Sequence, residues 1–351
     1  VAIPSDYMIQ RLISENLVQP LDKENLNCFD LLVNDVQDLS YDPGNVYSVP
    51  YFWGNVGIIY DTTKVSEEEL AEKGYNIFLD ENYKGDIYLY DSERDSFMMA
   101  LKALGYSMNT ESEEELNAAY EWLVQCVETM EPEIVTDEII DNMAQGRKAM
   151  GIVYSGDAAY IMSENENMGF YMPETGTNLW CDAMVIPSNA QNIALAHEFM
   201  DFVSSYEGAY DNSSYVGYTS PNKEVMDELS GEGGDYEGIN AYLPRTDNEN
   251  DEIFGLGNAV KSGVTYATKT LVYELPNIAV ATPTATPTPA PQVPVGLKLE
   301  ITEEMVGYAY WRVDPAGITQ DMANAEGNIV VETVFYNTNA YPIILSVLIH
   351  K

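Results

Sequence analysis

Positive charge is scarce in this chain. Lys and Arg number 16 against 57 Asp and Glu, a formal net charge of −41 over 351 residues. That balance excludes nucleic acid as a partner, because phosphate binding needs a basic footprint. The acidic surplus suits a cationic ligand, since clefts of one charge sign attract the other, and it also serves solubility. Cysteine is rare and odd in number: Cys28, Cys126 and Cys181 are widely spaced, so neither a disulfide framework nor a zinc motif follows. The two histidines, His197 and His350, have no companion ligands in the sequence, and no metal or other cofactor is read. His197 falls in a helical run and reads as a surface or helix-end residue. No apolar run approaches the length of a membrane span. Catalytic signatures are missing as well. "GIVYSGDAA" holds Ser155 without the G-x-S-x-G elbow and without a histidine to activate it. "YKGDIYL" lacks the Gly-rich run of a phosphate-binding loop, and no EF-hand or H-E-x-x-H occurs. The chain therefore reads as a non-enzyme.

What is present is a globular composition, 46% hydrophobic, long enough for a sizeable core and more than one domain. "YSVPYFW", "VGIIYD", "DIYLYD", "AMGIVYSG" and "AMVIP" read as strands. Between them lie amphipathic helices. In "TESEEELNAAYEWLVQCVETM", Thr110 and Glu113 offer a capping box, and Leu116, Tyr120, Leu123, Val124 and Val127 recur at helical spacing. In "SNAQNIALAHEFMDFVSS", Ile193, Ala196, Phe199, Met200 and Val203 form one stripe. Strands alternating with helices imply a layered α/β fold, in which ligands bind at loops beyond the strand ends. A Thr/Pro/Ala tract then interrupts the pattern. Proline removes backbone donors and favours an extended chain, so residues 278–294 read as a semi-rigid linker. It separates a large domain, residues 1–277, from a small β-rich module over residues 295–351, in which Trp311 reads as core.

The chemistry lies in acids and aromatics at strand ends. "PSDY" brings Ser5, Asp6 and Tyr7. "YDSERDSF" brings Asp91, Glu93 and Asp95, and "VYSGDAAY" brings Tyr154 and Asp157. "NLWCDAMVIP" places Trp180 and Asp182 two apart, hence on one face of a strand, with Cys181 turned the other way into the lobe as a small hydrophobe. "GYTSPN" adds Tyr218. Aromatic faces attract ammonium groups and carboxylates accept charge-assisted hydrogen bonds from them, so the set suits a polyamine whose methylene chain lies on the rings. Taken singly, each residue has a simpler reading. Tyr and Trp usually pack, and Asp91 and Asp157 each stand where they could cap the segment that follows.

In their order the segments "IPSDYM", "LVQPLDKENLNCF", "YSVPYFWGNVGIIYD", "YKGDIYLYDSERDSFMMALKALGYSMNT", "MGIVYSGDAAYI", "NLWCDAMVIPSNAQN" and "VGYTSPN" resemble the spermidine/putrescine-binding proteins of bacterial ABC transporters, over roughly residues 1 to 275. The resemblance implies a two-lobed periplasmic-binding-protein-like α/β fold of type II, and an extracytoplasmic receptor, in the periplasm or on the outer face of the membrane. Such a receptor, a monomer, would hand a polyamine to an ABC permease. It implies ligand contacts at Ser5, Tyr7, Asp95, Tyr154, Trp180, Asp182 and Tyr218, with Asp182 the main amine anchor. Asp95 is a shorter acid than the family's glutamate, and Ser92 stands where the family has a second acid. Trp53 is kept as structural. The sequence opens at Val1 just before the "PSDY" element, so the first lobe is expected to be incomplete. The C-terminal module, itself expected to be cut short, is an addition to the family pattern. Two other readings stay open: an adhesion or carbohydrate-binding protein acting through that module, and a receptor of the same fold for another solute.

Overall fold

A computed structural model of the chain describes residues 1–255, 265–267, 270–272, 329–336 and 342–349. The chain falls into two units, Val1–Ile278 and Ala279–Lys351. In the second unit, strands over Ile329–Tyr336 and Pro342–Ile349 pair antiparallel, with Ile329 opposite Ile349. They coincide with two of the β-branched runs of the expected module. The linker, Trp311 and His350 lie outside the described residues.

The first unit is built around one strand. β1 (Ser48–Asp61) is 14 residues long. Its first half pairs antiparallel with β6 (Leu179–Val185), and its second half pairs antiparallel with β4 (Met150–Tyr154) and β5 (Met168–Tyr171). β2 (Ile87–Tyr90) lies parallel to β4 and to β3 (Glu133–Val135). The order across the sheet is β3-β2-β4-β1-β5, with β6 on the other end of β1. The sequence reads β1 as two strands. They fuse because Gly54, between them, is a packing glycine and not a break. A Cβ there would lie 2.2 Å from Ser155 Oγ and 2.9 Å from the Trp180 ring.

Two lobes share β1. In the second lobe, alternate strand residues face opposite layers, as the two-residue period of a strand requires. Ile58, Ile87, Leu89 and Ile152 pack under α3 (Glu93–Ala103) and α4 (Glu113–Met130). Ile59, Tyr88, Val153 and Phe170 pack under α5 (Glu138–Ala144) and α6 (Ser155–Glu164). Burial on both faces explains why these strands read as unbroken apolar runs. In the first lobe, Cys181, Ala183 and Val185 of β6 join Trp53 and Ile9, the last from α1 (Asp6–Ser14). On the other face, Met184 packs with Val49 and with Ala196, Met200 and Val203 of α7 (Ile193–Ser204). α8 (Tyr206–Val216) and α9 (Lys223–Ser230) follow, and α2 (Glu67–Lys73) leads from β1 towards β2. Among the described residues no helix is long and apolar enough to cross a membrane.

Several local expectations change. α4 is capped by Ser112, whose hydroxyl accepts from Glu115 N at 3.4 Å, while the Thr110 hydroxyl engages the Glu115 side chain. Its buried arc runs through Ala119, Trp122, Leu123, Cys126 and Met130, with Leu116, Tyr120 and Val127 at its edges. On α7, Phe199 is 43% exposed, because the buried arc is centred on Ala196, Met200 and Val203. His197 is buried, not superficial. Its Nε2 accepts from Asp22 N at 3.0 Å and its Nδ1 lies 2.8 Å from Ile193 O, so it fastens the 22–25 turn to the helix.

Candidate functional site

A cleft of about 430 Å³ opens between the lobes. All seven residues singled out in the sequence, Ser5, Tyr7, Asp95, Tyr154, Trp180, Asp182 and Tyr218, line it. Ser5 precedes α1 and Tyr7 lies in its first turn. Asp95 stands in the first turn of α3, and Tyr154 at the junction of β4 and α6. Strand alternation sets the central pair. Trp180 lies opposite Gly54 and Asp182 opposite Phe52 in the β1–β6 ladder, so these four share the cleft face. Because Gly54 has no side chain, the indole lies across β1. Cys181 and Trp53 take the opposite face. Cys181 is buried against the Tyr41 hydroxyl at 3.4 Å, and Trp53 Nε1 donates to Ser220 O at 3.4 Å.

The rings form a connected wall. Tyr154 meets Trp180 edge-on at 6.0 Å between centroids, and Trp180 meets Tyr218 at 5.5 Å. Phe52 lies 5.8 Å from Tyr218. The Tyr154–Trp180 and Trp180–Tyr218 pairs stand at 83° and 68°, so faces and edges alternate along the wall, a geometry that receives a cation or a methylene chain.

Acids sit at both ends of this wall, and burial raises all of them. Asp182 is half-buried. Desolvation pushes its pKa up and the Ser5 hydroxyl partly opposes that. Asp95 is buried, and its rise also comes first from desolvation. It is well supplied with internal donors: Ser92 Oγ at 2.7 Å, Tyr154 OH at 2.7 Å, and Asn178 Nδ2 at 3.5 Å. Asp6, in the "PSDY" element, is pushed by desolvation up to about 7, although its carboxylate accepts from the Cys181 and Tyr7 backbone amides. Asp157 is pushed by burial up to about 6. Asp157 does not cap α6. It lies within that helix, and Tyr218 OH donates to it at 2.9 Å. Asp91 caps nothing either, since Ser92 is the N-cap of α3.

Sequence reasoning missed four lining residues of consequence. Arg94 is the one cation among the lining residues, and its guanidinium carbon lies 3.8 Å from the Tyr7 ring centroid. One face of Tyr7 is therefore occupied by the protein's own cation. Asn178 lies two residues before Trp180, so the same alternation that pairs Trp180 with Asp182 points to it. Phe52 could be found from the strand register alone. Phe254 carries no local signal. It arrives because Glu252 bridges Asn178 and because Asn109 binds the Ile253 carbonyl and the Gly255 amide. Among the described residues Asn178 Oδ1, Trp180 Nε1 and Arg94 Nη1 are buried without a hydrogen-bond partner. Such orphaned groups cost about 1–3 kcal/mol each. Of the three only Asn178 Oδ1 is an acceptor, and it is the one that an incoming N–H donor can satisfy.

Residues 1–237 match the family described as bacterial extracellular solute-binding protein. The chain is 29% identical over 235 residues to the spermidine/putrescine-binding periplasmic protein of Escherichia coli, a match covering 66% of each. It is 27% identical over 242 residues to the putrescine-binding periplasmic protein SpuD of Pseudomonas aeruginosa, covering 63% of this chain and 65% of that one. The chain thus spans about two thirds, 66%, of the length of the Escherichia coli relative. Among solved structures, the spermidine/putrescine ABC transporter substrate-binding protein PotD from Streptococcus pneumoniae is 33% identical, with a TM-score of 0.64 over 75% of this chain and 79% of that one.

Proposed function

The chain belongs to the bacterial extracellular solute-binding proteins, and we propose that it is an extracytoplasmic receptor that binds a polyamine, putrescine or spermidine, and presents it to an ABC permease. The reading draws on the names of the similar proteins and on one observation of the cleft. Asp182 is a desolvated, half-buried carboxylate on the same strand face as Trp180, and among the described residues no cation forms an ion pair with it. A buried carboxylate left unpaired is costly, and an ammonium arriving from outside removes that cost.

Binding then follows from the geometry without any covalent chemistry. One ammonium pairs with Asp182 and donates to it. The methylene chain lies along Trp180 towards Tyr154 and Tyr218. A second ammonium reaches Asp95 and the free Oδ1 of Asn178. Each amine contributes charge-assisted hydrogen bonds, and each ring about 0.5–2 kcal/mol of cation–π attraction. Because the contacts come from both lobes, the ligand favours the closed arrangement over an open one, and that differential is what a permease reads. Thermal unfolding tests the proposal. Putrescine or spermidine at 100 times its Kd should stabilise the folded chain by about 2.7 kcal/mol. A melting temperature that neither amine moves would contradict it.

A further inference from the structure

Asp157 touches the aromatic wall from behind. It is carried by α6, in the second lobe, and is only 9% exposed. Tyr218 follows α8 in a turn held to β1 and to the loop at Val33: Trp53 N donates to Thr219 O at 3.4 Å, Trp53 Nε1 to Ser220 O at 3.4 Å, and Val33 N to Pro221 O at 2.9 Å, while Ala209 of α8 and Val225 of α9 share a core with Ala158 and Ala159 of α6. The Tyr218 hydroxyl donates to Asp157 Oδ1 at 2.9 Å, across 61 residues of sequence. The ring itself lies flat against Gly156. A Cβ at Gly156 would stand 2.4 Å from the ring carbons, so only glycine admits the tyrosine there. The ring therefore has one backing surface, Gly156, and one directional tether, Asp157. Its other contacts, to Phe52 and Trp180, are ring against ring and do not fix the hydroxyl.

We propose that Asp157 is a positioning residue for the cleft. It does not meet the ligand. It holds the Tyr218 ring in the orientation that completes the wall with Trp180. The proposal rests on the polyamine reading for the ligand used in its test, but not for the bond itself. An ionised carboxylate accepting a phenol proton is a strong tether, roughly twice a neutral hydrogen bond. An asparagine at the same place keeps the acceptor oxygen and loses only the charge, so it should keep most of the tether. An alanine removes it.

The test uses the full chain with 3-fluorotyrosine placed at position 218, and the variants Asp157→Ala, Asp157→Asn and Tyr218→Phe. Without ligand, the fluorine signal of the Asp157→Ala protein should shift and broaden, and that of Asp157→Asn should stay close to the parent. With spermidine or putrescine, Asp157→Ala and Tyr218→Phe should each weaken binding about tenfold, mainly through faster dissociation, the loss expected of one hydrogen bond to a charged group. The double variant should be no weaker than either alone, because both remove the same bond. Binding by Asp157→Asn should stay within about threefold of the parent. A fluorine signal unchanged in Asp157→Ala, or losses that multiply in the double variant, would overturn the proposal. If neither amine binds the parent protein while the fluorine shifts appear as described, the polyamine reading fails and the positioning role stands.

Discussion

Asp182→Asn separates a ligand anchor from a structural acid, because it should move binding and stability in opposite directions. In the folded chain Asp182 is desolvated, and only the Ser5 hydroxyl offsets the rise in its pKa. Asp95, by comparison, receives Ser92, Tyr154 and Asn178. The Asp182 charge is thus the less compensated of the two before ligand arrives. Removing it should leave the ligand-free protein as stable as before or slightly more so, since a buried charge without a partner costs free energy. The same change deprives an ammonium of its anion. Truncating one partner of a desolvated charge pair costs about 2–5 kcal/mol, which is roughly 30-fold to several thousand-fold in Kd. Asparagine keeps one acceptor oxygen, so it should fall near the lower end, and Asp182→Ala higher. Calorimetric titration gives the affinities, and urea unfolding of the same preparations gives the stabilities. A variant that loses stability and binds spermidine and putrescine as tightly as the parent would refute the reasoning.

Other consequences are equally direct. Gly54→Ala should destabilise the chain by about 1–3 kcal/mol, the usual cost of overpacking, and weaken ligand binding by displacing the indole, since the new Cβ would meet Ser155 Oγ and Trp180; urea midpoints and titration report both. Affinity should rise with pH through about 7, the range set by Asp6 in the cleft, because an entering cation favours its ionised carboxylate, and binding near neutrality should release protons; Asp157, at about 6, does not meet the ligand and should add little. Titrations in buffers of different ionisation enthalpy measure that release. For the ligand-free protein the sign is reversed. These two acids hold protons more tightly folded than unfolded, so their contribution to stability is present at acid pH and is lost as pH rises through about 6 to 7. Finally, with a formal charge of −41, association with a cationic ligand should slow by about tenfold or more between low and high salt, while dissociation changes little; stopped-flow fluorescence checks it.

How far the sequence carried differs from residue to residue, for physical reasons. Strand alternation is local, so the opposed faces of Trp180–Asp182 and Cys181 were legible, and Asn178 would have been by the same rule. The α/β layering followed from helices and strands that alternate in sequence. β3 and β5, at three and four residues, are too short to show a period. The start of α4 was misplaced because Thr110 and Ser112 are both plausible caps, and the choice depends on which hydroxyl the Glu115 side chain engages. Arg94 on Tyr7, the Asp157–Tyr218 bond and the arrival of Phe254 join segments between 61 and 160 residues apart, and no local pattern encodes such contacts.

The central claim is that the acids and rings of this cleft recognise an alkyl ammonium. A calorimetric titration of the full chain with putrescine and spermidine, against an α-amino acid of similar size as control, tests it most directly. Saturable one-to-one binding of at least one amine, abolished or weakened beyond tenfold by Asp182→Ala, with no heat from the amino acid, is the result expected. Absence of binding by both amines, or equal binding of the amino acid, would contradict it.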